Sequence, residues 1–144
     1  MTTQNLQLIY TLLCDDVRLE MGNKLSLMGV FQNIMVEKLP ISLIKFAVVN
    51  RWRGEGVHQT EVRIVSPDKT NTIVTSQPTN IELPQGGFSD NVSFFVNVVF
   101  QTAGTYWVQT LANTVLLEEV PLIVTDAETT AGMQPAEEIS ETVN

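Results

Sequence analysis

Asn91-Val-Ser-Phe-Phe-Val-Asn-Val-Val-Phe-Gln101 is the most apolar run in the chain, and its spacing decides the fold. Read with a period of two, Val92, Phe94, Val96, Val98 and Phe100 share one face, while Phe95 and Val99 take the other. A strand apolar on both faces belongs at the centre of a sheet or under a partner. Phe95 and Val99 are therefore the expected interface residues, and a homo-oligomer, with a two-fold dimer favoured, is the expected state.

Working outward from this run, the same texture recurs. Segment 105–111 turns Tyr106 and Val108 inward and Trp107 outward, and 115–125 reads as a final strand after the turn Ala112-Asn113-Thr114. Upstream, Val62 and Ile64 alternate with Glu61 and Arg63 across 57–66, and Ser66-Pro67-Asp68-Lys69 fits a type I turn. Over 41–53, Ile44, Phe46, Val48 and Trp52 fall on one face, opposite Lys45, Arg51 and Arg53. Strands are also expected at 6–13, 24–34, 72–76 and 79–83, with Gly22-Asn23 as a reversal and Gln85-Gly86-Gly87 as a loop. Eight or nine short strands without an amphipathic helix predict an all-β, two-sheet antiparallel sandwich over residues 1–125, immunoglobulin-like or C2-like.

Residues 126–144 differ in kind. They take five of the sixteen acids and none of the eight bases, and they include Pro135. Such a tail cannot build a core, so it is expected to be flexible or to form a short docked helix from Pro135, with Ile139 and Val143 on one face. An acidic tail is also a candidate contact for another protein.

Charge and rare residues limit the function. A formal charge of -8 disfavours capture of nucleic acid or of an anionic membrane surface. The start carries neither a basic n-region nor a long apolar stretch, and the lone Cys14 suits a reducing compartment, so the expected location is cytoplasmic. One Cys and one His exclude a Cys/His zinc cluster. No nucleophile elbow or phosphate loop occurs, so no cofactor or catalytic residue is expected. His58 reads as a surface loop histidine; a hydrolase built from Asp15, Asp16 and His58 is the alternative that this reading disfavours. Asp15, Asp16, Asp68 and Asp90 are candidate calcium ligands of a C2-like module, because hard cations want several oxygens. Cys14 ends an apolar strand and reads as a small buried hydrophobe. Arg51 and Arg53 face away from Trp52, which places the indole in the core beside Phe46.

Three stretches together carry a resemblance. Leu12-Leu13-Cys14-Asp15-Asp16-Val17-Arg18 leads to Lys24-Leu25-Ser26-Leu27-Met28-Gly29-Val30-Phe31, Ser66-Pro67-Asp68 closes a hairpin, and Gly104-Thr105-Tyr106 precedes Val120-Pro121-Leu122-Ile123-Val124. Over residues 6–125 the chain resembles a bacterial family of small β-sandwich proteins known only as a domain of unknown function. That resemblance implies a fold and a bacterial source, and it brings no catalytic residues. Sequence thus points to a non-catalytic binding or assembly module.

Overall fold

Two glycine-marked bends dictate the architecture of this protein, which a computed structural model describes over residues 5–128. The strands are β1 Leu6–Glu20, β2 Lys24–Phe31, β3 Asn33–Val36, β4 Ile41–Val65, β5 Thr72–Thr75, β6 Thr79–Phe100, β7 Gly104–Ala112 and β8 Val115–Asp126. Segments 41–53 and 57–66, expected as separate strands, are one strand, β4. It passes through Gly54 and Gly56, both at positive φ, where its register against β6 shifts. Segments 79–83 and 91–101 are likewise one strand, β6, and Gly86-Gly87 lies within it rather than in a loop. Glycine bends these strands instead of ending them, because it reaches backbone angles closed to other residues.

The consequence is a single curled sheet in place of two separate ones. Its order is β2-β1-β4-β7-β8-β3, with β5 and β6 also pairing with β4. The first half of β4 lies between β1 and the second half of β6, while its second half lies beside β7. All pairings are antiparallel except β3 with β8, which run parallel. The all-β expectation holds, and the sheet is mixed rather than wholly antiparallel.

Inside the curl, Phe46, Val48, Val62, Ile64, Phe95 and Phe100 join Tyr106, Val108, Leu122 and Val124 in the main core. Trp52 is fully buried, but it sits in a second cluster with Leu6, Ile81, Leu83 and Ala112, away from Phe46. Asn50, Thr60, Asn91 and Thr110 are buried polar residues that none of these apolar clusters includes. Tyr106 is buried and Trp107 is half-buried, as their alternation predicts.

Phe95 overturns one expectation. It is only 3% exposed and packs in the main core, whereas Phe94 and Val96 are 50% and 62% exposed; Val99 does face outward. The cause is Asn97, whose φ of 52° breaks the alternation, so that inward positions run Ser93, Phe95, then Val98 and Phe100. On the paired strand the inward side likewise moves from Phe46 to Leu43, leaving Ile44 exposed, while the register on both sides of the switch is unchanged. An asparagine tolerates the left-handed region that this requires.

The last strand runs through Asp126, one residue past the expected boundary, and the Ala127 amide donates to the Glu37 carbonyl. The proposed tail helix lies outside the described residues.

Candidate functional site

Alternate residues of β4 sort onto opposite faces of the sheet. Phe46 and Val48 point into the curl, so Ala47 and Val49 point out. An outward face normally carries polar side chains. Here Ala47, Val49 and Cys14 are fully buried on it, packed with Tyr10, Val17, Leu25, Leu27 and Val92.

Register extends this surface across four strands. Cys14, Ala47 and Phe94 are aligned on β1, β4 and β6, as are Leu12, Val49 and Val92, and Lys45 stands opposite Val96. On the hairpin of β1 and β2 the outward side changes near Gly29, at φ 70°, which lies opposite Asp15. A Cβ built on Gly29 would overlap the Asp15 carboxylate. Beyond this point Val17, Leu25 and Leu27 join the outer face.

Two of the charged groups on this surface are paired with acids and a third lies over a ring. Arg51 holds Asp90 through two hydrogen bonds, 2.7 Å from Nε and 2.9 Å from an Nη, and lies over the Tyr10 and Phe88 rings. The Asp90 carboxylate raises the Arg51 pKa further. Arg53 also lies over Phe88. Lys45 reaches Asp16 at 3.1 Å and lies 5.2 Å from the Phe94 ring centroid. The Val17 amide and then Lys45 hold the Asp16 carboxyl below its usual range.

The opposite outer face, on β4, β7 and β8, is crossed by a polar network beside Trp107 and the exposed Ile123. Arg63 donates to Gln109 at 2.8 Å, Gln109 donates to Glu119 at 2.9 Å, and Lys69 closes the chain on Glu119 while lying over Trp107. Lys69 and Gln109 lower the Glu119 pKa. One curled sheet thus carries an outer face crossed by a polar network and one lined by an apolar cluster.

The four candidate calcium ligands do not converge. Asp16 binds Lys45, Asp90 binds Arg51, and Asp68 closes its own turn. Among the described residues, no group of three His, Cys, Asp or Glu side chains could hold a metal. In the turn, the Ser66 hydroxyl donates to Asp68 at 2.6 Å, and the Thr70 amide and hydroxyl donate at 3.0 and 2.8 Å. Ser66 and then Thr70 pull the Asp68 pKa down to about 2. A folded value below the unfolded one means that this stabilisation is complete above pH ~4 and lost as pH falls through the folded value. In a carboxyl-carbon NMR titration Asp68 should show a midpoint near about 2. A midpoint at the ordinary ~3.9 would contradict the turn network.

His58 is buried on β4 rather than exposed in a loop. Its Nε2 lies 2.8 Å from the Glu55 carbonyl, which can only accept, so Nε2 carries the proton and Nδ1 accepts from the Asn113 amide at 3.0 Å. Both ring nitrogens are therefore engaged structurally. Burial, and then Asp15, push the Cys14 thiol above its ordinary value. Native protein should resist thiol-reactive disulfide reagents that label it readily in denaturant; rapid native labelling would contradict this burial.

The candidate site is thus an apolar surface on an all-β domain, and no group of three metal-ligating side chains occurs among the described residues. The chain belongs to the family of unknown function DUF6941, whose model matches residues 9–125. No curated protein matches it. Two solved structures are similar to it in part. Pseudomonas fluorescens alkylpurine DNA glycosylase AlkC, bound to DNA containing an abasic site analogue, shares 10% identity over 65% of this chain and 27% of its own, with a TM-score of 0.48. A β-glucosidase from Listeria innocua in complex with gluconolactone shares 9% identity over 83% of this chain and 16% of its own, with a TM-score of 0.43. This chain spans under a third of either protein, and neither likeness bears on its function.

Proposed function

We propose that the domain is a non-catalytic assembly module in which two copies meet through the apolar outer face of β1, β2, β4 and β6. The observation that carries this reading is the contrast between the two outer faces: Phe94 and Val96 stand exposed beside an apolar cluster, while the other face is knit by polar side chains. Water is the natural neighbour of the second surface and a poor one for the first. Charge favours a second copy as occupant. The chain carries -8 overall, yet this face pairs Lys45 with Asp16 and Arg51 with Asp90 and adds only Arg53, so two acidic molecules can meet here without setting acidic excess against acidic excess. Phe95, expected at the interface, belongs to the core, and Phe94 and Val96 take its place.

Sedimentation of full-length Phe94→Glu and Val96→Glu variants tests the reading. Both positions are outward, so both variants should keep the wild-type far-ultraviolet spectrum while sedimenting at the 16.0 kDa of one chain, against a wild-type dimer. Dimeric variants with unchanged affinity would exclude this face.

A further inference from the structure

Two buried polar atoms lack a protein partner, and they stand two residues apart on the same face of β4: the side-chain oxygen of Asn50 and the indole Nε1 of Trp52. Both side chains are fully buried. The amide nitrogen of Asn50 is already engaged, donating to the hydroxyls of Thr11 at 2.9 Å and Thr110 at 3.2 Å. With the amide placed this way its oxygen, an acceptor, is unused. The indole N–H can only donate. The two orphans are thus complementary in kind, and side chains at i and i+2 of a strand stand roughly 6–7 Å apart at their roots. Their surroundings are polar too: Asn91 donates to the Thr60 hydroxyl at 3.3 Å, and Thr60 donates to the Thr79 carbonyl.

We propose that a single internal water binds between Trp52 and Asn50, accepting from indole Nε1–H and donating to Asn50 Oδ1. A water is the smallest ligand that offers both functions, and buried polar groups without protein partners recruit one routinely. The second water proton and lone pair remain for the hydroxyls nearby. The bound water makes the indole part of the polar layer, so the Trp52 cluster is tied to the Asn50 network by hydrogen bonds as well as by packing.

A crystal structure of the full chain, at a resolution that orders internal waters, tests this directly. The expected result is a density peak about 2.7–3.2 Å from both atoms. In solution, a Trp107→Phe variant leaves one indole N–H signal, which should show a cross-peak to water of the sign given by a long-lived complex. Persistence of that cross-peak in Thr60→Val and Thr110→Val variants would separate a water from an exchanging hydroxyl. An empty site in the crystal, or Asn50 and Trp52 bonded to each other or to other protein groups, would overturn the proposal. So would a cross-peak that vanishes with either hydroxyl while the fold is retained.

Discussion

Replacing Phe46 with alanine will destabilise the domain by about 3–5 kcal/mol, the range for truncating a well-packed buried aromatic. Phe46 is almost wholly buried in the first half of β4, so its removal leaves a cavity inside the curl. Its ring meets Phe31 edge-on at 6.3 Å and Phe95 at 5.5 Å, and both contacts vanish together. Phe31 ends β2 and Phe95 lies on β6, so the loss reaches two further strands. Against a typical total of about 5–15 kcal/mol, that is a large share. Urea midpoints of wild type and variant measure it, and a loss below ~1 kcal/mol would mean that the core is not packed as described.

Gly54→Ala should have a comparable effect through the backbone. Gly54 has φ 153°, and a Cβ built there would lie 2.0 Å from the Asn5 carbonyl oxygen. That carbonyl accepts from the Glu55 amide at 2.9 Å, at the point where β1 joins β4. The added methyl must push the start of β1 away or force β4 out of its bend, and neither backbone has a flexible end with which to yield. Strain of about 1–3 kcal/mol, with a similar term for overlap, gives roughly 2–6 kcal/mol. Gly86→Ala provides the contrast within β6: it also has positive φ, but nothing lies within 4 Å of its Cβ, so strain acts without overlap. A Gly54→Ala variant as stable as wild type would rule out the tight approach of β1 and β4.

These two residues also show what the sequence could and could not disclose. Phe46 reads as core from its neighbours alone, as do Val62, Ile64 and Tyr106, because local alternation survives wherever the strand stays regular. Gly22 and Asn23 form the reversal between β1 and β2, both at positive φ, because a two-residue preference is enough to set it. Gly54 and Gly56 look in sequence like the end of one strand and the start of another. Whether glycine ends a strand or bends it depends on what packs beside it, and that information is not local. Asn97 is the costlier ambiguity. One residue in the left-handed region moves Phe95 into the core and Phe94 and Val96 to the surface, so the interface candidates change identity while the composition is unchanged. The outer apolar face was legible only as an excess of apolar residues near 91–101. Its extension over Val17, Leu25 and Leu27 depends on pairings between β1, β2 and β4 that periodicity does not encode.

Self-association through that face is tested most directly by isotope-filtered nuclear Overhauser spectroscopy on a mixture of labelled and unlabelled full-length chains. Intermolecular contacts should arise from the Phe94 ring and the Val92 and Val96 methyls, and should reach Val17, Leu25 or Leu27 of the other copy. Filtered spectra without these contacts, from a sample that light scattering shows to be a 16.0 kDa monomer at the same concentration, would contradict it.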